Sequence, residues 1–213
     1  MKNKSAFTMI ELVFVIVVLG ILASLAMGRM ERDLKQEAAE TILSHIRLAQ
    51  QLALRDNKHR SDNDATWQRA YWQIDFNCAS DCKYIVGSDL DLSGSIEMLE
   101  SAIDPTDGKY IWNDGGADTD MSKKVLLENE FGIHTIALSA GCTNSNTIAF
   151  DYIGRPHISI GTATNDFATV ISTDCNLTFT MSTDEDNDGI DDTFIITIES
   201  ETGHSFIDGQ EES

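Results

Sequence analysis

Three groups of residues in this 213-residue chain have types and spacings that can do chemistry. The first is a single carboxylate, Glu11, near the start of an otherwise uncharged apolar run from Phe7 to Met27. An ionised carboxylate at membrane depth costs roughly 2.5–3.5 kcal/mol on insertion scales, so it demands a partner or a purpose. The second is an acidic run, Asp184-Glu185-Asp186-Asn187-Asp188-Gly189-Ile190-Asp191-Asp192. Its six acids would repel one another unless a cation gathers them or water screens them. The third is a set of four cysteines, Cys78, Cys82, Cys142 and Cys175, all beyond the apolar run. The five histidines are scattered, and no glycine-rich phosphate loop precedes a lysine, so no catalytic constellation emerges and an enzyme is not expected.

The acidic run has the chemistry of a calcium loop. Asp184, Asp186 and Asp188 are spaced by one residue, Gly189 permits a sharp turn, and the Ile190 carbonyl and Asp192 would complete an oxygen shell. Ile195 stands where an EF-hand would place its bidentate Glu, so the run is similar to shorter D-x-D-x-D-G-x-x-D loops. A solvated acidic hairpin is the other reading. For the cysteines, an even count in an oxidising compartment favours two disulfides. Cys78 with Cys82 and Cys142 with Cys175 is the simplest of the three pairings. Zinc is the competing reading, and the C-x₃-C spacing is unusual for it.

The elements that must position these groups begin with a helix. Phe7 to Met27 would span about 32 Å as a helix, which matches a hydrocarbon core of about 30 Å. Lys2 and Lys4 place positive charge on the N-terminal, cytoplasmic side. A cleaved signal peptide is opposed by the length of the run and by Glu11; a plain single-pass anchor is a further alternative. Beyond Gly28, a weak point, Ala38, Ile42, Ile46, Ala49 and Ala53 recur at helical spacing, and no proline interrupts the chain before Pro105. The expectation is one helix over 7–55, membrane-spanning over 7–27 and amphipathic beyond, then a polar linker over 56–66.

From 67 to 213 a β domain is expected. Trp67 to Phe76 alternates like a strand, and further strands are expected at Tyr84–Val86, Ile133–Leu138, Thr147–Phe150, His157–Ile160, Thr169–Ile171, Leu177–Met181 and Phe194–Ile198. The stretch from Ser88 to Glu130 offers turns but no clear pattern. The fold class is α+β, a long N-terminal helix packed on an antiparallel β domain.

Phe7-Thr8-Met9-Ile10-Glu11, after the leader Met1 to Ala6, resembles the processing and methylation site of type IV pilin-like proteins. The resemblance implies cleavage by a prepilin peptidase between Ala6 and Phe7, methylation of the new Phe7 amine, and pairing of Glu11 with that amine in a neighbouring subunit. Ala6 stands where the family usually has Gly. More narrowly, Ile148-Ala149-Phe150-Asp151-Tyr152-Ile153-Gly154-Arg155, the helix end from Ile42 to Lys58, and Ile196 to Gly203 resemble phrases of GspH/FimT-like minor pseudopilins. The implied protein is a minor pilin or pseudopilin of a type II secretion, competence or type IV pilus filament. It would be held in the inner membrane with its domain in the periplasm, reaching the cell surface after assembly, and its partners would be other subunits. A membrane-anchored, calcium-stabilised adhesive domain outside any filament is the alternative.

Charge narrows the partners. The formal charge is −20, and loss of Lys2 and Lys4 leaves 13 basic against 35 acidic residues, or −22. Beyond Leu138 the one Lys or Arg is Arg155. Phosphate binding needs clustered cations, so direct nucleic-acid binding is not expected.

Overall fold

The computed structural model describes residues 9–60, 64–143, 145–184 and 189–210, and the side chains of 24–33 and 166 lie outside that description. Helix α1 runs unbroken from Met9 to Arg55, 47 residues or about 70 Å, straight through Gly28. Ala38, Ala39, Ile42, Leu43, Ile46, Ala49 and Ala53 on its second half are all buried. This is the stripe that the sequence periodicity predicts, and the small alanines let β-strands approach the helix closely.

Two antiparallel sheets receive that stripe. The first has the order β2-β1-β4-β5, with β1 Trp72–Asn77, β2 Lys83–Gly87, β4 Thr147–Phe150 and β5 Pro156–His157. The second has the order β3-β6-β7-β8, with β3 Ile133–Ala140, β6 Cys175–Met181, β7 Thr193–Ile198 and β8 Ser205–Ile207. Along β6, Cys175, Leu177, Phe179 and Met181 are buried at every second position, as a half-buried strand requires. The Phe179 ring stacks on Phe194 of β7 and meets Phe76 of β1 edge-on, 5.9 Å between centroids, so one aromatic joins the two sheets. A short helix α2, Leu127–Phe131, ends at Gly132 in the left-handed conformation.

Several elements differ from expectation. The strand expected from Trp67 begins at Trp72, because Ala65–Ala70 winds a 3₁₀ turn whose Thr66 N–H is capped by the Asp64 carboxylate. Trp67 and Tyr71 pack edge-on against each other in a small core of their own instead of alternating across a sheet. The His157–Ile160 strand shrinks to Pro156–His157, since Ser159 takes a positive φ of 52° and turns the chain away. Of Thr169–Ile171 a single bridge remains, from Val170 to His157.

The expected membrane span at 7–27 is not met within the described residues, where no helix is long and apolar enough to cross a membrane. Phe7 lies outside the described residues, as do the side chains of 24–33. Met9 to Ala23 then gives 15 residues, about 22 Å of helix, against the roughly 20 residues a bilayer needs. Met9 is 86% and Phe14 68% exposed, so the described residues of the chain leave much of the apolar surface of Met9 to Ala23 uncovered.

The cysteines pair as Cys78–Cys82 and Cys142–Cys175, and none is free. The second bond ties the turn after β3 to the start of β6 across 33 residues, whereas the first closes a separation of only 4. In the chain-entropy description the longer loop is worth about 3.5 kcal/mol and the shorter about 2 kcal/mol. Replacing Cys142 and Cys175 together by Ala should therefore lower the denaturation midpoint more than replacing Cys78 and Cys82. Chemical denaturation of the two double variants measures this, and equal losses would reject the loop-length account.

Candidate functional site

Two regions carry the residues singled out above: the free half of α1 and the turns of the β domain. Glu11 sits in the first described turn of α1. Its side chain is exposed on an apolar rod, so the chemistry on offer is charge pairing in a low-dielectric setting. Ala6 and Phe7 lie outside the described residues.

For Glu11 to act on a partner, the rod must be fixed to its domain. Four polar side chains on the second half of α1 do this, and the first, Gln36, exchanges amide hydrogen bonds with Gln210. The Gln50 amide donates to the carbonyl oxygens of Gly154 (3.0 Å) and Thr202 (2.8 Å). The Arg47 guanidinium donates twice to the Ser205 carbonyl at the start of β8. His45 is buried, with Nδ1 2.7 Å from the Tyr84 hydroxyl and Nε2 3.3 Å from Asp104 Oδ2.

The Gln50 contact explains the glycines in two phrases of the sequence. Gly154 and Gly203 both have positive φ, 88° and 67°, and a Cβ at Gly203 would strike the Gly154 carbonyl and the Gln50 amide. The two turns meet each other on the helix, so Ile148–Arg155, Ile196–Gly203 and the helix end come together at one point.

Asp151 organises the first of these turns. Its Oδ1 accepts the N–H groups of Ile153 and Arg155, and its Oδ2 accepts from the Arg155 guanidinium at 2.7–2.8 Å. His157 Nε2 stands 3.3 Å away. Burial pushes the Asp151 carboxyl up, but the contacts with His157 and Arg155 outweigh it and leave the pKa below the ordinary value. Arg155 is therefore spent inside its own turn.

The acidic run sits between β6 and β7. The Gly189 N–H donates to Asp184 Oδ2, the Thr183 hydroxyl donates to Asp192 Oδ2, and Met181 and Asp192 close the hairpin through their backbones. Asp191 Oδ2 lies 3.5 Å from His134 Nε2 on β3. Ile190 is exposed. Asp186 and Asp188 lie outside the described residues. A group that the sequence reading passed over lies elsewhere: Asp89, Asp91 and Glu100, in the stretch without a clear pattern, bring carboxylate oxygens within 4.8 Å of one another. The signal for it was the spacing of these residues about Gly94.

With this geometry in hand, the comparison with protein families is informative. The model of the prokaryotic N-terminal methylation motif matches residues 1–27. The match supports a type IV pilin-like protein and covers the segment around Ala6, Phe7 and Glu11. Comparison with curated proteins and with solved structures returned no match.

The buried network around His45 sets a pH dependence. Burial lowers its pKa below 6.5 and outweighs the attraction of Asp104, while Lys124, 3.3 Å from Asp104, adds to the lowering. Burial likewise opposes ionisation of Asp104, but the Thr106 hydroxyl and N–H, His45 and Lys124 bring its pKa down to about 2. His45 is thus neutral in the fold. Its contribution is complete above the unfolded pKa of 6.5 and is lost as pH falls from there toward the folded value. The contributions of Asp104 and Asp151 are present above 3.8 and lost as pH falls through their lower folded values. The melting temperature of the detergent-solubilised chain should be level from pH 8 to about 6.5 and then fall in two stages. His45→Gln should flatten the upper stage; an unchanged slope between pH 6.5 and 5 in that variant would show that other groups set it.

Proposed function

We propose that this chain is a minor pilin or pseudopilin of the GspH/FimT kind, a structural subunit of a type II secretion, competence or type IV pilus filament. The observation that carries the reading is the methylation motif over residues 1–27, with Glu11 in the first described turn of a helix continuous to Arg55. In this reading the inner membrane holds the apolar half of α1 as a single pass and the β domain lies in the periplasm. A prepilin peptidase removes Met1 to Ala6, the Phe7 amine is methylated, and Glu11 of one subunit pairs with the Phe7 amine of the next. Two buried opposite charges offset each other's desolvation only in close contact, so the pair sets the axial register between helices. The role is non-enzymatic.

Two further features support it. The apolar side chains of Met9 to Leu22 are exposed in the isolated chain, as an element awaiting lipid or neighbouring helices would leave them. Arg155, the one cation beyond Leu138, is engaged by Asp151, which leaves that half of the domain without a free cation among its described residues and argues against nucleic-acid binding by this subunit. Calcium at Asp184, Asp186, Asp188, Ile190 and Asp192 belongs to the same proposal, as a brace for the β6–β7 hairpin in the periplasm.

Peptide mass analysis of native protein should find Phe7 at the N-terminus, N-methylated. A mature start at Met27 would identify a signal peptide and overturn the reading. Glu11→Ala should insert at least as well as the parent, since an intramembrane charge worth a few kcal/mol is removed, yet fail to enter filaments. Shearing followed by immunoblotting measures this, and normal incorporation would show that Glu11 sets no register.

For the acidic turn, calcium that binds only the folded chain should raise stability by about 2.7 kcal/mol at a hundredfold excess over Kd. Magnesium should do less, because it resists an irregular oxygen cage. Asp186→Asn with Asp188→Asn should remove the part of the calcium-induced rise in melting temperature that this turn supplies; an undiminished rise would mark a solvated acidic turn.

A further inference from the structure

We infer that the outer face of the first sheet carries a pocket for a small zwitterion, an aliphatic α-amino acid whose ammonium meets Asp75 and whose carboxylate meets Arg69. The inference concerns the β domain and rests on no part of the filament reading.

Strand alternation builds the floor of this pocket. Ile74 and Phe76 of β1 turn into the core shared with α1, so Gln73 and Asp75 face the other way. Their neighbours on β4 are Ala149 and Thr147. A pocket of about 170 Å³ opens on this side, with Gln73, Asp75 and Thr147 as its floor and Arg69, Ser95 and Ile160 among its walls.

The lining holds opposite charges that do not meet. Asp75 Oδ1 accepts from the Thr147 hydroxyl at 2.7 Å, and its Oδ2 has no partner among the described residues. Arg69 donates from Nη1 to the Leu92 carbonyl at 2.9 Å, and its Nε and Nη2 donate to no described residue. No ion pair within 4.0 Å joins the guanidinium to Asp75 or to Asp89, the third charged residue of the lining. Asp89 is already satisfied, since the Ser93 and Gly94 N–H groups donate to its two oxygens.

Arg69 is held in place and does not close the gap itself. Its stem lies over Gly161 and its guanidinium over Gly94, both with positive φ, 78° and 98°. A Cβ at Gly161 would stand 3.0 Å from Nε, and one at Gly94 would stand 3.3 Å from Nη1. Two glycine turns and the Leu92 carbonyl thus fix a planar donor fork apart from the carboxylate.

Gln73 adds an open acceptor. It is only 5% exposed, and its Nε2 donates to the Arg69 carbonyl at 2.9 Å. Its Oε1 accepts from no described residue, although a buried amide oxygen is ordinarily hydrogen-bonded. An ammonium placed between Gln73 Oε1 and Asp75 Oδ2 would donate to both. Burial raises the Asp75 pKa against the pull of the Thr147 bond, and the same cation would offset that cost.

An amino acid meets these demands together. Its ammonium and carboxylate sit on one carbon, as two facing charges with a gap between them require. Both contacts are charge-assisted, and the guanidinium can hold its carboxylate through two N–H groups. Ile96 and Ile160 supply the aliphatic part of the lining, which suits an alkyl side chain. A plain amine would leave Arg69 unmet, and a plain carboxylate would leave Asp75 and Gln73 unmet.

The test uses the full chain in detergent, with L-valine and L-leucine as probes. Calorimetric titration should give one site per chain for at least one of them. The amine and the carboxylate that share the alkyl group, isobutylamine and isovalerate in the case of valine, should each bind at least tenfold more weakly. Asp75→Asn, which can keep the Thr147 contact, and Arg69→Gln should each weaken the amino acid at least tenfold. If circular dichroism shows that Arg69→Gln does not fold, Asp75→Asn decides alone. Absence of binding by both probes at about 10 mM, tenfold above a millimolar Kd, would overturn the inference. So would undiminished affinity in Asp75→Asn, or an amine that binds as well as its amino acid, which would mark a simple cation site.

Discussion

One buried stripe of α1 governs the architecture. Ala38, Ile42, Ile46, Ala49 and Ala53 are each 0–1% exposed and lie beneath both sheets. A sheet with one apolar face must bury that face against another element. Here two such sheets use the same helix as the floor of a common core, with Phe76 against Phe179 as the bridge between them. Alanines at three of the five positions set the distance. Enlarging Ala49 would force strand and helix apart, and overpacking of this kind typically destabilises by about 1–3 kcal/mol.

Where one side chain per turn decides the structure, the sequence announces it. The helical stripe, the alternation in Cys175–Met181 and the apolar-aromatic strands at Thr147–Phe150 and Thr193–Ile198 follow from periodicity alone. Trp67 misleads because Trp67-Gln68-Arg69-Ala70-Tyr71 reads as a strand until the Asp64 cap is recognised, and a cap is visible only once the helix is known. β8 is three residues long and borrows its order from Arg47 and from β7, so nothing local marks it. The loop of residues 88–102 carries almost no periodicity because its partners are carboxylates and backbone N–H groups, not an apolar face. Of the site, the motif residues around Glu11 were readable, whereas the meeting of Gly154 with Gly203 under Gln50 depends on folding far-separated turns onto one helix.

The way the domain handles negative charge separates its carboxylates by role. Asp104 and Asp151 are buried with cations at hand, Lys124 for one and Arg155 for the other, and both have lowered pKa values. Asp75 has a single hydroxyl partner, Thr147, and burial raises its pKa. Asp89 is as buried as Asp104 but lacks a cation and faces two further carboxylates. A fold able to pair Asp104 and Asp151 so thoroughly would gain nothing in stability from leaving Asp89 against like charges. Asp89 is held instead by the Ser93 and Gly94 N–H groups, which donate to its two carboxylate oxygens.

The moorings of α1 also explain how the two halves of the molecule act as one. His45, Arg47 and Gln50 lie within six residues and reach three different parts of the domain: the Asp104 loop, β8, and the paired glycine turns. A rigid helix can rotate about its axis only if these three contacts and the Gln36–Gln210 pair break together. The buried stripe resists translation in the same way, since its residues are locked into one core with both sheets. The azimuth of the free half, and with it the direction in which Glu11 points, is therefore dictated by residues some 35 positions away in the chain. On the filament reading, that coupling lets a charge pair at one end of a rod of about 70 Å orient the β domain at the other.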